Sequence, residues 1–556
     1  MNRNTNMHFA NTPQVHTKRS KFDESFSIKT TFNVGDIIPL FVDADILPGD
    51  TVQMDMAEIV RMATPIYPIM DNLFMDLYWF YVPNRLLWDH WAAFWGENDD
   101  PWTQQTEYEI PQIEAPTNGW TEGTIADYMG IPTKVDGISV NALPFRAYSK
   151  IWNDWFRDEN LKSSCHIYTD ETTRTGQTGA EQNYSYVTGT ELGGKPCKAA
   201  KFHDYFTAAL PSPQKGPAVG IPLTGSINVY TGEDRTPTVG ETAQPLIGNL
   251  TTGSEATGIT YTAKQRYINP DVNDFLKPAV INPNTTYNAF EPTNLYADMG
   301  SATAVTINQL RTAFALQKYY ENAGLHGTRY IEYLRSVFGV TSSDARVQRA
   351  EYLGGQRIPI NIDQIIQTSS TDNTSPQGNT AGFSCTHNHS SMFTKSFEEH
   401  GVLMCLGVIR VDHTYQQGLE KQWSRKKWTD YFNPYFAHLG EQAILLKEIY
   451  AQGTSADDTA FGYQEAWAEY RYKTNKVTGY MRSNATGSLD VWHFADDYSQ
   501  APSLSGAWID EPYANVDRTI AVTSQLTHQF IGDFYFKCAY TRPMPVYSVP
   551  GLIDHV

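Results

Sequence analysis

The run KQWSRKKWTD, residues 421–430, sets four cations, Lys421, Arg425, Lys426 and Lys427, among two tryptophans, Trp423 and Trp428. Basic groups meet phosphate and flat rings stack on bases, so this mixture suits single-stranded nucleic acid. A solvated loop, or a subunit contact whose cations meet acids, has the same composition. A second candidate is the N-terminal stretch 1–21, where Arg3, Lys18, Arg19 and Lys21 occur without a single acid. It reads as a flexible basic arm, or as an ordinary frayed terminus.

Other motifs lead to little chemistry. GTELGGKP (189–196) has P-loop spacing, but Pro196 stands where Ser or Thr would hold magnesium. CTHNHS places Cys385, His387 and His389 on alternate residues, so a strand would aim all three one way, yet no fourth zinc ligand follows at a familiar spacing. Asp43, Asp45 and Asp50 in VDADILPGD lack the bidentate Glu of a calcium loop. No Ser-His-Asp arrangement stands out. The expectation is a protein without catalytic residues, cofactor or metal.

The 556 residues carry 42 basic and 61 acidic side chains, a net charge of −19. Such a field repels phosphate over the general surface, so any nucleic-acid contact must be local. The 33 Tyr, 26 Phe and 13 Trp point to large cores and interfaces. Five scattered cysteines without a CxxC pair argue for a reducing compartment. The N-terminus has no apolar signal region, and the longest apolar run, GVLMCLGVIRV (401–411), is too short to span a bilayer. Synthesis in the cytosol, without membrane insertion, is expected.

The elements that must carry these residues are mainly strands. FSIKTTFN alternates Phe26, Ile28, Thr30 and Phe32; QRIPINID alternates Ile358, Ile360 and Ile362; QFIGDFYFKCAY sets Phe530, Phe534, Phe536 and Cys538 on one face. IIPLFV (37–42) and FMDLYWFYV (74–82) read as further strands, the second buried on both faces, and GVLMCLGVIRVDHTY reads as a central strand. Helices are expected at 84–95 with Asn84 as N-cap, at 143–160, at 306–322, and at 328–339 ending on Gly339. From about Cys165 to Ala304 the chain is rich in Thr, Gly and Pro, as in a long surface excursion. Together these predict a mainly β, two-sheet sandwich with widely separated strands, one very long insertion and several short helices.

Several long phrases resemble the major capsid protein of the gokushoviruses, small single-stranded-DNA bacteriophages of the microvirus family. They include TTFNVGDIIPLFVDADILPGDT, LYWFYVPNRLLWDHW, LPFRAYSKIWNDWFRDENL, HDYFTAALPSPQKG, GTRYIEYLRSVFGVTSSDARVQRAEYLGG, TYQQGLEKQWSR, EAWAEYRYKTNKVTGYMRS and RPMPVYSVPGLIDHV. The resemblance implies an eight-stranded antiparallel jelly roll with long insertions. Copies would assemble into a small T=1 icosahedral shell around circular single-stranded DNA.

The implied division is an arm (1–25), a first core part (26–215), a variable insertion (216–304) and a second core part (305–556). The insertion would project at the three-fold axes and serve host attachment through a surface receptor. A small DNA-binding protein and a pilot protein are implied partners, the virion is the implied location, and assembly would take place in host cytoplasm. Within that picture Lys421, Trp423, Arg425, Lys426, Lys427 and Trp428 are expected to face DNA, with Lys18, Arg19 and Lys21 as the second group. The alternative from another class is a carbohydrate-binding or carbohydrate-active jelly roll, whose marks would be a signal peptide and a cleft with paired carboxylates.

Overall fold

Period-two alternation needs two apolar faces turned toward each other, and two large sheets supply them. The computed structural model describes residues 18–97, 107–179, 189–220, 307–371 and 376–547, with the backbone of short strands between 229 and 297. The principal strands are β1 (Ser20–Asp23), β2 (Phe26–Phe32), β3 (Ile38–Ile46), β4 (Thr51–Met62), β5 (Leu73–Pro83), β6 (Glu351–Pro359), β7 (Thr386–Ser396), β8 (Gly401–Val411) and β9 (Phe530–Arg542). One sheet runs β9-β4-β7, with β1 and β2 following one another along the free edge of β9. The other runs β6-β5-β8-β3, and every pairing in both is antiparallel.

Between the sheets lies a core built from both. Phe32, Met54, Met56, Phe534 and Phe536 from one side meet Leu40, Met75, Leu77, Trp79 and Leu403 from the other. The Trp79 ring lies 5.2 Å from Phe41, 5.4 Å from Phe393 and 5.9 Å from Phe536, centroid to centroid. Gly407 of β8 is required here by close approach: a Cβ would stand 2.6 Å from Leu40 Cδ1.

The unbroken apolar runs of β5 and β8 have a second cause. Phe80, Val82, Met404, Leu406 and Val408 point away from the sandwich into another core, against Phe145, Tyr148, Ile151 and Trp152. Those residues belong to helix α1 (Leu143–Ile151) and the π-helical turn Trp152–Phe156 that continues it. The one charged residue in β5, Asp76, is buried and held by the guanidinium groups of Arg357, at 2.7 Å, and Arg410.

Two expected helices change form. Over 84–95 only a 3-10 turn, Asn84–Leu86, and a helical turn, Trp91–Phe94, are present. The Asp89 N–H donates to Thr169 O at 3.0 Å, a distant partner that takes the chain out of helical register. Asn84 caps nothing; it is buried inside the turn. The stretch from 143 ends at Phe156, where Arg157 N–H bonds back to Trp152 O. Helix α2 (Ile307–His326) is longer than expected, and Phe314 on it is exposed. Helix α3 (Tyr330–Phe338) does stop at Gly339, which takes φ +68°.

Residues 216–320 form a second compact unit, the remainder of the chain the first. In the second unit Leu246–Thr252 pairs antiparallel with Arg266–Ile268 and Tyr287–Pro292, and Val229–Thr231 pairs with Leu295–Ala297.

The remaining motifs have structural employment. Gly189 and Gly193, both in the left-handed region, bracket a 3-10 turn, with no strand-to-helix phosphate loop at 189–196. His387 and His389 lie exposed on β7, and no cluster of three metal-ligating side chains occurs among the described residues. Asp50 Oδ2 accepts from Leu47 N–H, and Arg542 approaches Asp50 at 3.2 Å and Asp43 at 3.6 Å. No helix among the described residues is long and apolar enough to cross a membrane.

Candidate nucleic-acid interface

A one-turn helix, Lys421–Ser424, and a 3-10 turn, Trp428–Asp430, carry the cationic run. The Asp430 carboxylate sets the bend between them by accepting the backbone N–H of Lys426 and of Lys427, both at 2.8 Å. Those bonds hold its pKa below the usual range. The side chains of Lys426 and Lys427 are thereby turned to solvent, as are Trp423 and Trp428, 72% and 70% exposed.

The other two cations are spoken for within the subunit. Glu469 receives Arg425 Nη2 at 3.2 Å and lies 3.7 Å from Lys421 Nζ. The Arg425 side chain is only 11% exposed, and its guanidinium lies 4.4 Å from the Tyr470 ring centroid and 5.2 Å from that of Tyr431. A guanidinium between rings and a carboxylate acts as a bracket that fixes the loop. Of the four cations expected to meet phosphate, two therefore point to solvent and two are held by Glu469.

Further aromatics extend this surface beyond the residues of the cationic run. Tyr431, Phe432, Tyr435, Tyr470 and Tyr472 are all exposed, Tyr435 almost completely. Phe432 packs its ring against Trp467, and Trp467 Nε1–H donates to Phe436 O at 2.8 Å, so the loop has an anchored underside. The sequence carries a signal for these additions: DYFNPYF follows the cationic run directly, and YRYK supplies Tyr470, Tyr472 and Lys473. Beside the run opens a cleft of about 210 Å3, lined among others by Lys421, Gln422, Arg425, Tyr470, Tyr472 and Lys473.

The second candidate group is not gathered with the first into any described contact. Lys18 and Arg19 are exposed, and Arg19 donates to Gly49 O at 2.5 Å. Lys21 lies in β1, paired in register with Thr541, so residues 20–23 are sheet rather than free arm. The first seventeen residues lie outside the described ones.

Comparison with known proteins gives this surface its context. A family model for the phage capsid protein (F protein) matches residues 10–552. Capsid protein VP1 of Spiroplasma virus 4 is 42% identical over 541 residues, 97% of this chain and 96% of that protein. Capsid protein VP1 of Bdellovibrio phage phiMH2K is 42% identical over 551 residues, covering 98% and 97%. Capsid protein VP1 of Chlamydia phage 1 is 39% identical over 596 residues, also covering 98% and 97%. Matches of this depth along nearly the whole length leave no room for a borrowed fragment: the chain belongs to the phage capsid protein (F protein) family and is a structural major capsid protein of the gokushovirus kind, not an enzyme.

Proposed function

We propose that copies of this subunit close into a small T=1 icosahedral shell around circular single-stranded DNA, and that the surface at 421–430 faces that DNA. The observation that carries the inner-face assignment is the exposure of Trp423 and Trp428 beside the solvent-facing Lys426 and Lys427, on an otherwise acidic protein. Exposed rings at cationic positions recognise unpaired bases without demanding a sequence. Lys421 and Arg425 support this surface from below, and Lys18, Arg19 and Lys21 form a second, weaker basic group. The sheet orders β9-β4-β7 and β6-β5-β8-β3, with β1 and β2 sharing one edge, agree with an eight-position jelly roll. Residues 216–304, within the second compact unit, are proposed as the outward protrusion for a host receptor. With so acidic a subunit, a small basic protein to condense the genome and a pilot protein for its delivery complete the set of partners.

The test is charge reversal of Lys426 and Lys427 together in a virus producing intact particles. Each phosphate left without its lysine keeps its condensed counterion, so packaging should fall while shells still form. Particles with an unchanged DNA content, measured by absorbance ratio and density, would refute the inner-face assignment.

A further inference from the structure

The cleft beside the cationic run is not a phosphate trap. Its lining cations, Lys421, Arg425 and Lys473, are interleaved with Glu420, Glu448 and Glu469, and Glu420 also pairs with Lys476. Glu469 holds Lys421 and Arg425, and Glu448 accepts from the Tyr205 hydroxyl at 2.9 Å. What remains is a hydrogen-bonding recess walled by rings: Tyr205 and Phe206 at its buried end, Tyr470 and Tyr472 at its exposed end. Arg425 lines this recess, and its buried Nε has no hydrogen-bond partner, although such a donor ordinarily finds an acceptor.

A flat, uncharged group with both donors and acceptors fits the rings and the polar side chains that line the recess. We infer that the cleft takes one unstacked nucleobase of the single-stranded genome. Its face lies against Tyr470 or Tyr472, its carbonyl turns toward Arg425, and its amino group turns toward the carboxylates. The flanking phosphates then run outside, over Lys473 on one side and Lys426 and Lys427 on the other. This assignment rests on the reading of residues 421–430 as a DNA-facing surface, and it adds a base-sized site to an open platform. The volume, about 210 Å3, is room for a single base rather than a stretch of strand.

Ultraviolet cross-linking of intact, DNA-filled particles, with the modified peptides mapped by mass spectrometry, tests the site without any substitution. A nucleotide adduct on Tyr470 or Tyr472 is expected, alongside adducts on Trp423 or Trp428. Adducts on the tryptophans alone would overturn the base site while leaving the DNA-facing surface intact. Adducts on neither pair would overturn both. Cross-links between Tyr472 and protein would identify a second copy of the chain as the occupant and also overturn the base site. In a companion measurement, Tyr472→Ala should weaken subunit binding to short single-stranded oligodeoxynucleotides about five- to a hundredfold, the range for loss of one stacking ring, with Tyr472→Phe restoring it. Equal weakening by both variants would refute stacking.

Discussion

Glu58 projects from β4 into the space between the two sheets, where it is 2% exposed among methionines and phenylalanines. Its Oε1 accepts from Asn388 Nδ2 at 2.6 Å, and its Oε2 has no partner. Burial pushes its pKa up from 4.5 to about 7, against the lowering effect of the Asn388 bond. The folded subunit thus keeps a proton that the unfolded chain releases. Stability is level below about pH 4.5, falls as pH rises to about 7 and is level again above it. A pKa raised from 4.5 to about 7, at about 1.36 kcal/mol for each tenfold change in proton affinity, amounts to about 3 kcal/mol over that window. Glu58→Gln keeps the shape and the acceptor for Asn388 but cannot ionise. Urea unfolding of dissociated subunits should show the variant close to the parent near pH 4, and about 3 kcal/mol more stable near pH 8. Parallel stability profiles across that range would mean that Glu58 ionises in the fold at an ordinary pKa, and the reasoning would fail.

Other consequences are equally accessible. His413 donates to Asp496 at 3.0 Å and to Glu511 at 3.1 Å; burial opposes its charge, yet the two carboxylates prevail and raise its pKa to about 10. That stabilisation is complete below about pH 6.5 and is lost as pH climbs to about 10, so the destabilisation caused by His413→Gln, about 3 kcal/mol or more near neutrality, should shrink across that interval in pH-dependent thermal melts. Trp79→Ala, which removes the ring touching Phe41, Phe393 and Phe536, should cost about 3–5 kcal/mol in denaturant titration.

The strands are legible because burial between two sheets leaves a period of two in the sequence, as in Phe530, Phe534, Phe536 and Cys538, all buried. β5 is legible as doubly covered for a related reason: no polar face is needed where α1 packs on the back, and β8 beside it reads as a central strand. The helix expected over 84–95 does not form because a partner at Thr169 decides the course of Asp89, and no local pattern encodes that bond. The site divides the same way. Lys426, Lys427, Trp423 and Trp428 are neighbours in sequence and stand out directly. Glu469, which pairs with Arg425, lies 44 residues away and enters only through the fold. Glu58 leaves a trace of its own: Val52, Met54, Met56, Val60 and Met62 share its face in β4, and a carboxylate among them marks a buried titratable group.

β9 sits between β2 and β4, although it follows them by nearly the whole length of the chain; Gln529 N–H, for instance, donates to Asn33 Oδ1 across 496 residues. On the ribosome, β2 and one edge of β4 must wait without a strand partner until residue 542 has been made, although β4 can already meet β7. The sandwich is therefore an all-or-nothing object with respect to translation. A polypeptide released early lacks an internal strand of one sheet, leaves β2 without its partner, and offers its neighbours no finished surface. Topology alone thus proofreads each subunit for completeness before it can enter a shell.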